Sequence, residues 1–199
     1  MHGHASAACC RRALPMAHPP PEHDVPVQGH AITSGRGSTA TRSRQGSMRP
    51  VTVLFLGRHN AARSQIAEAL LRRCGRPLFL TCSAGTETGA LDPLAQSVLA
   101  EIGVDISGQL AKPVENFHGR PFDCVITLCP EALAYLPELP GEYRHIHWDF
   151  PDPSEVTGGE VARRRCMKRI VVQLGEHIRE WVGQERRRLV ANGHVAAVA

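Results

Sequence analysis

An apolar run, a polar loop and an amphipathic segment follow one another from residue 51. The run at 51–56, Val-Thr-Val-Leu-Phe-Leu, is rich in β-branched residues and predicts a buried strand. After the loop at 57–64, Gly-Arg-His-Asn-Ala-Ala-Arg-Ser, residues up to Arg73 have helical composition, with apolar side chains such as Ile66 on one face. A strand, a tight loop and a helix in this order favour an α/β fold with the loop at the carboxyl end of a strand.

The loop at 57–64, here called the anion loop, has the pattern that binds oxyanions. In this arrangement, backbone N–H groups and the N-terminus of a helix converge on one point, and the Arg63 guanidinium can hold two oxygens of a tetrahedral anion. We expect Ser64 either to cap the helix or to contact the anion. The expected binding residues are Arg58, His59, Asn60, Ala61, Ala62, Arg63 and Ser64.

The anion loop resembles that of the low-molecular-weight protein tyrosine phosphatases and of the thiol-dependent arsenate reductases that share their fold. Those proteins carry C-x-x-x-x-x-R-S, whereas this chain has Gly57 in the position of the nucleophilic cysteine. The resemblance covers residues 51–182. Asp-Ile-Ser at 105–107 and His-Trp-x-x-x-Asp-Pro at 147–153 favour the arsenate reductase branch, and Ser154 stands where a tyrosine phosphatase usually has an aromatic residue.

The resemblance also implies roles for residues outside the anion loop. Asp152 matches the general acid that protonates the leaving oxygen, and Asp149 is a weaker second candidate. Cys129 aligns with the first resolving cysteine of thioredoxin-coupled arsenate reductases, and a packed structural thiol is an equally good interpretation of it. The position of the third redox cysteine holds Leu136.

Three further residues match side chains that hold a potassium ion behind the loop in some arsenate reductases. They are Asn60, Glu68 and Ser83, and Lys112 stands near the place of the fourth, acidic ligand. An ammonium group there would replace the cation electrostatically. We therefore predict no metal site.

Strand-like and helical segments alternate along the rest of the chain, which indicates a parallel sheet. The resemblance specifies a three-layer α/β sandwich with a central four-stranded parallel sheet flanked by helices. The predicted strands are 51–56, 77–82, 122–128 and 143–148, the last at an edge of the sheet, and residues 83–86 are predicted to form a turn. The predicted helices are 64–75, 92–103, 114–117, 131–136 and 160–189. In the last of these, an apolar stripe predicts core packing.

The two ends of the chain differ in composition from the middle. Residues 1–47 lack apolar periodicity and carry +3 of the net charge of +4, so we expect a disordered tail. The alternative is that translation starts at Met48. We assign residues 48–190 to the folded domain and 191–199 to a flexible C-terminus.

Charge, hydropathy and cysteine usage narrow the functional classes. The nearly neutral domain argues against nucleic-acid binding, and the absence of a long apolar stretch argues against a membrane span. Seven scattered cysteines without C-x-x-C spacing suggest reduced thiols and a cytoplasmic protein.

Three functions follow from these observations as hypotheses. The first is an arsenate reductase-like pseudoenzyme, linked to arsenic resistance, that binds phosphate or arsenate with catalysis impaired by Gly57. The second is an active arsenate reductase that uses Cys129 or Cys82, with thioredoxin or a low-molecular-weight thiol as reductant. The third is a phosphatase-type hydrolase in which Asp152 positions water. No other cofactor is expected, and a protein partner is not specified.

Overall fold

A parallel four-stranded sheet organises the part of the chain that the structure, a computed structural model, describes, residues 49–193. The strands are β1 (Val51–Gly57), β2 (Phe79–Gly85), β3 (Cys124–Thr127) and β4 (Arg144–His147), in the spatial order β2-β1-β3-β4. The carboxyl ends of all four strands therefore meet at one edge of the sheet, and β4 lies at the outside as predicted. The predicted tail at 1–47 and residues 194–199 lie outside the described residues.

Helices cover the two faces of the sheet unequally. The α-helices α1 (Arg63–Gly75), α2 (Pro93–Ala100) and α3 (Gly159–Ala191) form one layer, and two 3₁₀ helices, Val114–Phe117 and Pro130–Glu138, form the other. The three-layer α/β sandwich predicted from the sequence is confirmed. No helix within residues 49–193 is long and apolar enough to cross a membrane.

Each face of the sheet packs against its own apolar core. The helix-side core contains Val53 and Phe55 of β1, and the 3₁₀-side core contains their neighbours Leu54 and Leu56. This alternation follows from the two-residue period of a strand. The predicted apolar stripe of α3 lies in the helix-side core; it comprises Met167, Ile170, Val171, Leu174, Ile178, Trp181 and Val182.

Several predicted boundaries were wrong for local reasons. Residues 83–85 continue β2 instead of turning, because they pair with residues 55–57 of β1. The segment predicted as a helix at 131–136 is a longer 3₁₀ helix, Pro130–Glu138, that continues past Pro137. Helix α2 ends at Ala100, and the Ile102 N–H closes a tighter turn onto Leu99 O.

Candidate anion-binding site

A cavity of 220 Å³ opens at the carboxyl edge of the sheet. Three stretches of chain contribute to it: the anion loop, the segment before α2 and the loop after β4. Its walls consist of all eight residues from Gly57 to Ser64, with Gly89, Ala90, Asp92, Asp152, Pro153 and Ser154. The seven residues predicted to bind the anion thus share one cavity, whereas Asp149 and Cys129 lie outside its lining.

The start of α1 presents backbone donors to this cavity. The first hydrogen bond of the helix runs from Ile66 N to Ala62 O. The N–H groups of Arg63, Ser64 and Gln65 therefore precede the helical ladder and have no partner within it. Ala62 occupies the N-cap without a side-chain hydrogen bond, so the alternative that Ser64 caps the helix is wrong. These donors and the helix dipole favour a negative charge at this point.

Asn60 holds the interior of the anion loop in place. Its φ of 51° lies in the left-handed region, which asparagine tolerates better than most residues. The buried side-chain amide donates from Nδ2 to Ser64 Oγ at 2.9 Å and accepts from Lys112 N at 2.8 Å through Oδ1. A single side chain thus ties the loop to the first turn of α1 and to the segment around residue 112.

The segment 86–92 holds the outer side of the same loop through its backbone. Four of its N–H groups donate to carbonyl groups of the anion loop: Thr86 to Gly57, Glu87 to Arg58, Gly89 to His59 and Asp92 to Ala61, at 2.7–3.1 Å. Gly85, just before this segment, is required by close packing, because a Cβ there would lie 2.7 Å from Asn60 N. The main chain thereby fixes the shape of the loop.

Sequence reasoning missed the contribution of this segment to the site. The one available signal was the Asp92-Pro93 helix start, which the structure confirms through the hydrogen bond from Leu94 N to Asp92 Oδ1. The other face of the Asp92 carboxylate accepts from Arg163 of α3. Asp92 therefore fixes the beginning of α2 beside the cavity.

Arg63 is the buried cation of the site. Its side chain is 8% exposed. Nη1 donates to Phe150 O at 2.8 Å, and Nη2 donates to Asp152 Oδ2 at 2.5 Å. Both acceptors belong to the loop after β4. The structure therefore brings the predicted anion-binding arginine and the predicted general acid into direct contact.

Asp152 is held in its charged form. Burial disfavours the carboxylate, but hydrogen bonds from the hydroxyl and backbone N–H of Ser154 and the positive charge of Arg63 outweigh burial, so the pKa of Asp152 lies below its usual value. A general acid must carry a proton at the working pH. In this arrangement Asp152 is better suited to hold Arg63 than to donate a proton.

A charged cluster supports the loop from behind. Glu68 is buried and accepts from Ser83 Oγ at 2.5 Å, and the Lys112 ammonium lies 3.3 Å from the same Glu68 oxygen. The ammonium group thus lies beside Glu68, whose carboxylate also accepts from Ser83, whereas Lys112 contacts Asn60 through its backbone N–H. No group of three or more His, Cys, Asp or Glu side chains suited to a metal ion occurs in the described part of the chain.

The rim of the cavity carries a second, more exposed charge cluster. Glu87 Oε1 accepts from Arg58 Nε at 3.3 Å, and Glu87 Oε2 lies 3.3 Å from His59 Nδ1. All three side chains are at least one-third exposed. Solvent weakens such ion pairs, so the rim contributes little to anion binding. The strong contacts to an anion must come from Arg63 and the backbone N–H groups.

The candidate redox thiols lie in the 3₁₀-side core. Cys129 is 1% exposed, and Cys82 of β2 is half-buried against the same apolar residues. Burial raises the pKa of both thiols, which suppresses the reactive thiolate. Neither side chain lines the cavity, and Leu136, which stands in the third redox position, packs in this core as well.

Comparisons with known proteins agree with this geometry. The sequence profile of the family described as "Low molecular weight phosphotyrosine protein phosphatase" matches residues 52–189. The "Glutaredoxin arsenate reductase" of Synechocystis is 35% identical over 101 residues, which are 51% of this chain and 77% of that protein. The "Arsenate reductase" of Bacillus subtilis is 30% identical over 129 residues, which are 65% of this chain and 93% of that protein.

Solved structures resemble the chain as well. A structure described as "An arsenate reductase in the phosphate binding state" superposes with a TM-score of 0.59 at 28% identity. The alignment covers 67% of this chain and 98% of that one.

Proposed function

The chain belongs to the low-molecular-weight phosphotyrosine protein phosphatase family, and we propose that it is an arsenate reductase-like member that binds arsenate or phosphate without covalent catalysis from position 57. The arsenate reductases of B. subtilis and Synechocystis support this branch. The observation that carries the proposal is the convergence of the buried Arg63 guanidinium with the free N–H groups at the start of α1.

The walls of the cavity favour a small inorganic anion over an aryl phosphate. Within residues 49–193, no Phe, Tyr or Trp side chain lines the cavity; beside the anion loop the walls are Gly89, Ala90, Asp92, Asp152, Pro153 and Ser154. A phenyl ring gains affinity from stacking and apolar burial, and these walls provide little of either. Arsenate and phosphate need only charge and hydrogen-bond donors, which the anion loop supplies.

Gly57 limits the chemistry that follows binding. The family resemblance assigns the attacking thiolate to this position, and glycine has no side chain with which to attack arsenic or phosphorus. Loss of a nucleophile typically lowers the rate by about 10⁴–10⁶-fold, because the remaining groups provide only orientation and charge stabilisation. The same loss removes a negative charge from the cavity, which favours binding of an anion.

Calorimetric titration with phosphate and with arsenate tests the proposal. We expect saturable binding by the unaltered chain and an affinity lower by about tenfold or more in Arg63→Ala, since charge-assisted hydrogen bonds contribute about 1.5–3 kcal/mol. Arg169→Ala is the matched control, because Arg169 of α3 is exposed and lies outside the cavity lining. Equally weak binding by the unaltered chain and Arg63→Ala would exclude the proposed function.

An active reductase that uses Cys129 or Cys82, coupled to thioredoxin, glutaredoxin or a small thiol, is the competing function. It requires a thiol to leave the 3₁₀-side core and reach the cavity, and the burial of Cys129 argues against this. Arsenate-dependent oxidation of a thiol reductant that disappears in Cys129→Ser or Cys82→Ser would favour it. Turnover of p-nitrophenyl phosphate that survives thiol alkylation would favour the hydrolase instead.

A further inference from the structure

The Asp152 carboxylate keeps one hydrogen-bond acceptor position unused. An ionised carboxylate offers about four such positions. Within residues 49–193, three donors reach it: Arg63 Nη2 donates to Oδ2, and the backbone N–H and the hydroxyl of Ser154 donate to Oδ1. The fourth position belongs to Oδ2. Because Asp152 lines the cavity and contacts Arg63, an anion held by Arg63 has this oxygen as a neighbour.

Ser154 keeps this carboxylate in place and charged while an anion binds. Its two hydrogen bonds to Oδ1, at 2.8 and 2.6 Å, are independent of Arg63, so Asp152 need not move when the guanidinium turns towards an anion. Burial raises the pKa of Asp152, but the Ser154 hydrogen bonds and then the charge of Arg63 outweigh burial and hold the pKa below its usual value. An entering anion therefore meets a fixed negative charge.

The hydrogen-bond donors of the cavity do not distinguish one tetrahedral anion from another. The N–H groups of the first turn of α1 and the guanidinium only donate, so they suit every oxyanion. A carboxylate only accepts, and it repels an oxygen that carries no hydrogen. The other carboxylate of the lining, Asp92, already accepts from Leu94 N and Arg163. Selection between protonated and unprotonated anions therefore depends on Asp152.

We propose that Asp152 makes the site selective for oxyanions that carry a hydrogen, such as phosphate and arsenate, over sulfate and selenate, which carry none at neutral pH; this inference rests on the proposed oxyanion binding. The protonated oxygen donates to Asp152 Oδ2, and the other oxygens accept from Arg63 and the backbone N–H groups. The carboxylate lowers the affinity for every anion, but a protonated anion recovers part of the loss through this hydrogen bond. Sulfate and selenate place an unprotonated oxygen against the carboxylate and recover nothing.

Calorimetry of the full chain at neutral pH and constant ionic strength compares two pairs of anions that are matched in shape and size: phosphate with sulfate, and arsenate with selenate. Asp152→Asn replaces the carboxylate with an amide of the same shape, which can donate to an unprotonated oxygen as well as accept. Asp105→Asn is the matched control. Asp105 accepts from Ser107 N just as Asp152 accepts from Ser154 N, but it is exposed and lies outside the cavity lining.

In the unaltered chain and in Asp105→Asn, we expect the protonated anion of each pair to bind at least about tenfold more tightly than its partner, because a hydrogen bond to a charged group contributes at least this factor. In Asp152→Asn, we expect both ratios to fall below about threefold, since sulfate and selenate gain more affinity than phosphate and arsenate. A merely structural role for Asp152 would change all four affinities alike and leave the ratios as they were.

Ratios that persist in Asp152→Asn would overturn the inference, as would equal binding of phosphate and sulfate by the unaltered chain. The second comparison needs no variant, so it tests the inference even where Asp152→Asn does not fold. If phosphate and arsenate bind without this selectivity, only the inference fails. If neither binds, the proposed function fails with it.

Discussion

The Asp152 carboxylate lies 2.5 Å from the Arg63 guanidinium, and both side chains are almost fully buried. An oxyanion that enters the cavity must therefore share Arg63 with Asp152 or displace it. The carboxylate acts as an internal competitor for the same hydrogen-bond donors. It also keeps a buried cation neutralised while the anion loop is empty, which limits the cost of burying that charge.

Asp152→Asn should bind phosphate more tightly. The amide keeps the shape of the side chain but removes the negative charge that competes for Arg63, so we expect an affinity gain of about 3- to 10-fold, or about 0.7–1.4 kcal/mol. Calorimetry measures it, with Asp149→Asn as control because Asp149 is exposed and outside the cavity lining. Weaker binding by Asp152→Asn would show that the carboxylate assists binding.

The same pair should make stability depend on acidic pH. The pKa of Asp152 in the folded chain lies below its usual value of 3.8, because the Ser154 hydrogen bonds and Arg63 outweigh burial. The stabilisation is therefore complete above about pH 3.8 and is lost as the pH falls through the lowered value. Urea unfolding between pH 2.5 and 6 measures the free energy of unfolding. At the acid end of this range, it should fall more steeply with pH in the unaltered chain than in Asp152→Asn. Parallel curves would contradict this assignment.

Gly57→Cys should introduce nucleophilic catalysis. A Cβ at this position requires only a small adjustment of Ser64, and the thiol would face Arg63 and the unpaired N–H groups of α1, which favour the thiolate. We expect hydrolysis of p-nitrophenyl phosphate or thiol-dependent reduction of arsenate at about 10⁴-fold or more above the unaltered chain. Gly57→Ala controls for added bulk. If the unaltered chain is already as active as Gly57→Cys, position 57 does not limit catalysis.

Buried thiols should react slowly in the folded protein. Burial raises the pKa of Cys124 to about 12 and also raises the pKa of Cys129. We expect iodoacetamide at pH 7.5 to modify both at least about 100-fold more slowly than in urea-unfolded protein, as mass spectrometry of the peptides can show. Rapid modification of Cys129 in the folded chain would instead support the competing reductase function.

Lys112→Met should weaken both the fold and phosphate binding. The change removes the ammonium group that pairs with the buried Glu68 carboxylate. We expect the free energy of unfolding to fall by about 1–3 kcal/mol. Thermal unfolding and calorimetry measure the two effects, and potassium at constant ionic strength should restore part of each. Lys168→Met is the matched control, because Lys168 pairs with Glu101 at the surface. Equal melting temperatures for the two variants would contradict a special role for Lys112.

The features that could be predicted from the sequence are those that depend on the pattern of neighbouring residues. The apolar run of β1 fixed the start of the sheet, and the residues after Gly57 identified the anion loop and α1. The role of segment 86–92 was not predicted because it holds the loop through backbone N–H groups. These contacts depend on strand register, and almost any residue type can make them. Whether Cys129 packs in the 3₁₀-side core or faces the cavity depends on the direction that the chain takes after β3. The sequence alone does not determine this direction.

The contact between Arg63 and Asp152 was out of reach for a related reason. Both residues were identified separately, but they are 89 positions apart, and only the fold brings their side chains together. Each was assigned a task toward the ligand. Their mutual neutralisation depends on the distance between the two side chains, which cannot be predicted from the sequence pattern. The role of Asp152 as a general acid stays a prediction.

The four hydrogen bonds from segment 86–92 to the anion loop have a consequence for how such a protein can change over evolutionary time. They use main-chain atoms alone, so a mutation at codon 57 alters the reactive atom while the receptor around it keeps its architecture. Reactivity and recognition are thereby heritable as separate traits. A lineage can lose one, retain the other, and regain the first by a single nucleotide change that turns a glycine codon into one for cysteine.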